Sequence, residues 1–422
     1  MAADDGDVSQ QSASRSYAWI VFAVSFGLLL SDYMSRQVLN AVFPQLKAEW
    51  LLSDTRLGAL SGVVSLAVGV LAFPLSLLAD RWGRIQSLVL MAALWSLATL
   101  ACGLAQDFQQ MFIARFLVGI GEAAYGSVGL AVVLMFFPVR MRATIAGAFL
   151  AGGLVGSVLG ISLGGMLAAH FGWRAAFAGM AVFGLVLTVC YACIVRESGT
   201  RTERQTAQPA AHPRLRELIA SRSVICAYLG SGVQVFITGA LVAWLPSYLH
   251  RYYEMSVAQA GVVAALFVLS SAAGMALCGN LCDRIAGHSP AAKFSLAVTY
   301  CVTCCVLLSI ALQLPVGTSQ LVMIALGMFF GAGTVGPAGA MVVNLTPAPI
   351  HGTALATLSL ANNLLGLAPG PIVTGMLADA HGLPFALQLV PLVSLVAALI
   401  FAVARHSYQD DVRHVQLRTD AA

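Results

Sequence analysis

Ser76-Leu77-Leu78-Ala79-Asp80-Arg81-Trp82-Gly83-Arg84 breaks an otherwise apolar chain, and its pattern returns at Gly279-Asn280-Leu281-Cys282-Asp283-Arg284-Ile285-Ala286-Gly287. In each copy a small residue stands four positions before an Asp-Arg pair, and a glycine follows. The first copy closes the second apolar run of the chain and the second copy closes the eighth. The sequence therefore reads as one unit repeated twice, and paired repeats of this size place a substrate space near the bilayer midplane, between two helical bundles.

The surrounding composition demands a membrane. Hydrophobic residues make up 59% of the chain and charged residues 9%, with a mean hydropathy of +0.86, whereas a soluble domain carries about 25% charge. Apolar runs recur near the roughly 20 residues that a helix needs to cross the hydrocarbon core. Spans are predicted at 17–42, 56–79, 86–105, 109–136, 141–169 and 173–195, then at 223–249, 257–281, 291–313, 318–345, 350–377 and 383–405. The expected fold class is an all-α membrane protein of twelve transmembrane helices in two pseudo-symmetric six-helix bundles. Its expected parts are a tail (1–16), a first bundle (17–195), a polar linker (196–222), a second bundle (223–405) and a tail (406–422). The first sixteen residues lack a small-residue cleavage pattern, so the first span is expected to stay as an anchor.

Basic residues orient the chain. The tails and even-numbered connections hold Arg15, Arg81, Arg84, Arg140, Arg142, the linker arginines, Arg284, Lys293, Arg405, Arg413 and Arg418, against Lys47, Arg56, Arg174 and Arg251 on the other side. Both termini and the linker are thus expected in the cytoplasm, with the protein multi-pass in the cell inner membrane. The net charge of +4 is this topological signal. Spread over loops without interleaved aromatics, it does not describe a nucleic-acid interface.

Several strings imitate other chemistry. Cys190-x-x-Cys193 and Cys301-x-x-Cys304 have knuckle spacing but no His or acidic partner nearby, so no metal is expected. Gly331-x-Gly333-x-x-Gly336 and Gly160-x-Ser162-x-Gly164 lie inside apolar helices. A dinucleotide fingerprint or a nucleophile elbow needs a preceding strand, so close helix packing is the expected use, and no enzyme is expected.

Two ionisable clusters remain inside the spans: Asp32, Tyr33 and Arg36 in the first, and Arg115, Glu122 and Tyr125 in the fourth. A charge at the bilayer centre costs roughly 2.5 to 3.5 kcal/mol on insertion scales, so such residues mark a transport pathway by default. Asp32 and Arg36 are one turn apart and able to pair within the helix. Helical spacing puts Arg115, Glu122 and Tyr125 on one stripe. The second bundle offers neutral groups instead, among them Gln234, Thr238, Asn344 and Asn362-Asn363. Trp244 and Tyr248 are expected in an interfacial belt.

Asp80-Arg81-Trp82-Gly83-Arg84 and its echo resemble the loop signature of the major facilitator superfamily, and Phe171-Gly172-Trp173-Arg174-Ala175-Ala176-Phe177 is also similar to a pattern seen there. Within the superfamily, Arg115 followed by Gly119-Ile120-Gly121-Glu122-Ala123 resembles the Spinster-like branch, with the anion:cation symporters as the nearest rival. Both groups often carry a first-helix Tyr-x-Asp-Arg element. Here Tyr33-Met34-Ser35-Arg36 has Ser35 where the carboxylate would stand, and Asp32 is the candidate substitute.

That resemblance implies the major facilitator fold and a secondary transporter working by alternating access. Asp80, Arg81, Gly83 and Arg84, with Asp283 and Arg284, form the expected conformational latch. Arg36, whose guanidinium fork suits carboxylate or phosphate, is the first candidate for substrate, joined by Tyr33, Arg115, Tyr125, Gln234 and Asn362. Glu122 and Asp32 are the candidates for proton coupling. The expected function is proton-coupled symport of a small organic anion, a carboxylate or sugar acid, by a monomer powered by the proton gradient with no cofactor. The alternative is a Spinster-like exporter of amphiphiles or lysolipids, or multidrug efflux.

Overall fold

The computed structural model describes residues 5–195, 218–219, 221–286, 292–347 and 350–420. The linker reading at 196–222 therefore falls almost wholly outside the described residues, as does Gly287 of the second signature. The first bundle comprises α1 (Asp5–Trp50), α2 (Asp54–Trp82), α3 (Arg84–Leu104), α4 (Phe108–Glu122), α5 (Tyr125–Met135), α6 (Arg142–Phe171) and α7 (Trp173–Ile194). The second comprises α8 (Arg222–Tyr252), α9 (Val257–Ala286), α10 (Ala292–Ala311), α11 (Thr318–Ala332), α12 (Val335–Asn344), α13 (His351–Asn362), α14 (Pro369–His381), α15 (Leu383–Leu389) and α16 (Val393–Asp420).

The repeat predicted from the Asp-Arg signatures is visible in the backbone. The fourth span breaks between α4 and α5, and its counterpart, the tenth, breaks between α11 and α12. Leu51 and Glu254, in the first connection of each bundle, both take positive φ (50° and 54°), and Gly172 and Gly382, in the last connection of each, have φ of 84° and 88°. Glycine meets those last two turns without a Cβ penalty. Caps follow the local sequence: Ser53, Asp107 and Ser221 each accept a hydrogen bond from the backbone amide three residues on, satisfying a donor that the first helical turn leaves free.

Among the described residues, eleven helices are long and apolar enough to cross a membrane. The eleventh predicted span, 350–377, is not one of them as a continuous rod. A π-helical turn at Asn363–Leu367 divides it into α13 and α14, because Pro369 and Pro371 cannot donate to the preceding turn. It still completes the twelve-span arrangement of two six-helix bundles.

Within the first bundle α1 packs on α6 and α7, and α3 on α4 and α7, while in the second α8 packs on α16 and α10 on α11. The bundles meet where α6 crosses α9, α2 crosses α14 and α1 crosses α8. At the α6–α9 crossing, a Cβ on Gly165 would lie 2.8 Å from the Val257 carbonyl, and one on Gly261 would lie 2.8 Å from the Ile161 carbonyl. Gly261→Leu is therefore expected to cost this closed crossing about 1 to 3 kcal/mol through overpacking. Spin labels at Arg56 and Glu254 would then move apart, and an unchanged distance distribution would refute the tight crossing.

Candidate functional site

The mid-membrane charges meet where α1 faces α4. Arg36 donates through Nε and Nη2 to Glu122 Oε2, at 3.1 and 3.0 Å. Its side chain keeps 16% of its exposure while that of Glu122 has none. Arg36 thus turns to the fourth span and not, as the one-turn spacing suggested, to Asp32. Its guanidinium carbon also stands 5.4 Å from the centre of the Tyr33 ring. Asp32 is buried, with Oδ1 unpartnered by any protein donor, and its carboxyl faces that of Glu122, whose Oε1 is likewise unpartnered. Two buried carboxyl groups and one partly open guanidinium therefore stand close together.

Arg115 is placed differently. It is fully buried and donates to three backbone carbonyls: Leu60 at 3.3 Å, Ser35 at 3.0 Å and Arg36 at 3.2 Å. Three elements, α1, α2 and α4, are tied by one side chain, whose planar fork of five donors reaches all three carbonyls. Arg115 is a positioning residue in this structure, holding the backbone under Arg36, and not a group facing a ligand.

Tyr125 does not continue the Arg115–Glu122 stripe. The helix stops at Glu122 and restarts at Tyr125, so the 3.6-residue periodicity behind that expectation is interrupted at Ala123-Ala124. The Tyr125 hydroxyl donates to the Ser25 carbonyl at 2.8 Å, and its ring meets Trp95 edge-on at 5.0 Å. Gln234 is also internal to its bundle, accepting from Ser394 Oγ at 2.6 Å and donating to the Gly331 carbonyl. Asn362 accepts from Ser231 Oγ at 2.8 Å and remains part-exposed.

The expected latch is a local pair. Arg84 donates to Asp80 at 2.8 Å across the α2–α3 turn, with both groups about half exposed, so the pair stays within one bundle. Sequence reasoning missed the stronger cluster at the opposite end. Asp54 receives Lys47 at 2.6 Å and both terminal nitrogens of Arg251, at 2.8 and 3.0 Å. Asp379 of α14 accepts the backbone amides of Asp54 (2.7 Å) and Thr55 (2.8 Å) and the Thr55 hydroxyl (2.6 Å). Trp244, expected in an interfacial belt, is buried beside this cluster, against Phe43 and bonded to the Pro371 carbonyl at 3.0 Å. Among the described residues, the hydrogen bonds and ion pairs between the bundles that join Asp54, Thr55, Arg251 and Asp379 lie at this end, away from the chain termini.

Two repeated bundles, closed against each other at one end and holding a buried charged cluster in the first, have the architecture of a membrane transporter of the alternating-access type. Residues 25–330 match the Major Facilitator Superfamily, and the chain belongs to that family. It is 24% identical to a probable L-galactonate transporter of Escherichia coli (strain K12), over 94% of this chain and 91% of that protein. It is 29% identical to an MFS-type efflux pump of Mycolicibacterium smegmatis, over 97% and 98%. Among solved structures it resembles a bacterial homolog of the human lysosomal transporter Spinster in an inward-facing and unoccupied conformation, with a TM-score of 0.82, 20% identity, and 94% and 98% of the two chains covered.

Proposed function

We propose that this transporter carries a small sugar-acid anion together with protons across the inner membrane, as a monomer with both termini in the cytoplasm. The observation that carries the reading is the Arg36–Glu122 pair. Both Arg36 bonds fall on one oxygen of Glu122, and of the two mid-span arginines Arg36 alone keeps part of its exposure. An incoming carboxylate takes the guanidinium from Glu122, and the released carboxylate then takes a proton in surroundings that disfavour an unpaired charge. The loaded carrier rocks with that charge neutralised. Each net charge moved against the membrane potential is worth about 2.3 kcal/mol per 100 mV, so an anion gains from bringing at least one proton. Asp32, facing Glu122, is the second acceptor. Likeness to a galactonate transporter over nearly the whole chain supports a polyhydroxylated carboxylate as cargo, and the neutral groups of the second bundle, Asn362 foremost, suit its hydroxyls.

The test is thermal shift of the purified protein with galactonate, followed by uptake into proteoliposomes. Galactonate is expected to raise the midpoint for the parent and for Glu122→Gln but not for Arg36→Ala, since binding stabilises by mass action. Glu122→Gln should retain exchange at equal pH and lose at least ten-fold of its pH-driven accumulation. Shifts confined to lysolipids or hydrophobic cations would instead establish the exporter reading, to which the likeness to an efflux pump points.

A further inference from the structure

The end of the first bundle opposite the termini holds a cavity that the transport reading leaves unused. It has a volume of about 390 Å³ and lies between two connections, α1 to α2 and α3 to α4, where Trp50, Arg56, Gln106, Asp107, Phe108 and Gln109 line it. Sites for small molecules span about 300 to 1,000 Å³ and set a few polar groups among apolar and aromatic walls.

The walls are held from behind. Trp50 meets Trp173 edge-on at 5.3 Å, and the Trp173 indole donates to Glu49 at 2.6 Å. Arg174 donates to the other oxygen of that carboxylate at 2.7 Å. Across the cavity, Asp107 accepts from the backbone amide and the carboxamide of Gln110, at 2.8 and 3.1 Å. The Gln106 backbone amide donates to Gln110 Oε1 at 3.0 Å.

Arg56 stands apart from the other basic side chains at this end. Lys47 and Arg251 bind Asp54, and Arg174 binds Glu49. Among the described residues the Arg56 guanidinium has no carboxylate partner, and its central carbon stands 5.3 Å from the centre of the Phe108 ring. A ring face orients a cation without cancelling its charge. The carboxamides of Gln106 and Gln109 likewise make no hydrogen bond to described residues, and both residues are exposed.

An unpaired guanidinium fork suits a carboxylate, while two open carboxamides and the Asp107 carboxylate suit hydroxyls. We propose that this cavity is a second, outer site for the sugar-acid cargo, with Arg56 taking its carboxylate and Gln106, Asp107 and Gln109 its hydroxyls. All of the walls belong to the first bundle, so the site stays formed while the bundles are closed against each other. Asp54 and Thr55, on the same helical turn as Arg56, hold α8 and α14. Cargo bound here therefore waits beside the seam that has to part. The ligand's identity rests on the sugar-acid reading above. The polar groups of the outer site are exposed and their bonds compete with water, so it binds more weakly than the central site, and thermal shift at low galactonate reads the central site alone.

Saturation-transfer NMR on galactonate with the Arg36→Ala protein tests the outer site apart from the central one. Galactonate is expected to give a saturable signal that falls at least five-fold in Arg36→Ala/Arg56→Gln. Galactitol, the same carbon chain without the carboxylate, is expected to give at most about one-fifth of the galactonate signal. Equal galactonate signals with and without Arg56 would overturn the site, and a galactitol signal as strong as that of galactonate would overturn the pairing of carboxylate with Arg56. In proteoliposomes, Arg56→Gln should raise KM about five-fold and leave the maximal rate within two-fold, whereas an unchanged KM would overturn the capture of cargo at this site. A parent protein whose thermal midpoint ignores galactonate would sink the sugar-acid reading and the ligand assignment with it. A responsive parent with no Arg56-dependent signal would overturn the outer site alone.

Discussion

Asp54→Ala is expected to open the end of the protein opposite the termini. Asp54 is nearly buried and holds two cations, one from each bundle, and removing one partner of a buried pair costs about 3 to 5 kcal/mol because the remaining charges stay uncompensated. Here the loss leaves Lys47 and Arg251 facing each other with no carboxylate between them. A bias of that size changes the ratio of the two carrier states by a factor of about 10² to 10⁴. Spin labels at Arg56 and Glu254 report it as a new, longer distance population. Asp54→Asn should act in the same direction, since it keeps the shape and removes the charge. If either variant retains the parent distance, the cluster does not hold the bundles together.

Arg115→Ala is expected to be the most damaging single change to the first bundle. It removes a fully buried side chain and three charge-assisted hydrogen bonds, a loss of about 3 to 5 kcal/mol when cavity and lost bonds are taken together. The expected result is a lowered thermal midpoint and poor monodisperse yield. Arg115→Lys should recover little, because a point charge on a flexible stem cannot reach three carbonyls in a fixed fork. Arg36→Ala, at a part-exposed group, should fold and fail in ligand binding. An Arg115→Ala protein with the parent midpoint and no galactonate response would reverse these roles and make Arg115 a substrate ligand.

The contrast between these two arginines shows where sequence reading succeeds and where it stops. Hydropathy and the Asp-Arg repeat were enough for the fold, because bilayer thickness sets helix length and the repeat sets the bundles. Arg36 and Glu122 were legible as functional candidates because charge is rare at that depth. Which of Arg36 and Arg115 meets a ligand was not legible, since both are guanidiniums at mid-span and only the path of α2 past Leu60 decides it. Tyr125 was misplaced by extending helical periodicity through a break at Ala123-Ala124 that carries neither proline nor glycine. Lys47, Asp54, Arg251 and Asp379 sit at the ends of four spans and read singly as topology charges or a helix start. Nothing local links them, and the crossings of α2 with α14 and of α1 with α8 bring them together.

The π turn in the eleventh span gives that crossing a mechanical consequence. The Ala368 amide bonds back to the Asn363 carbonyl at 2.9 Å, a five-residue loop wider than an α-turn and of a kind often found where helices serve function. α14 is moored to α2 through Asp379, while α13 lies beyond the turn on the terminal side. The span is thus two levers on one pivot: the moored one is tied to the first bundle, while α13 packs on α8 and α12 of its own bundle. The two halves of one wall therefore answer to different bundles.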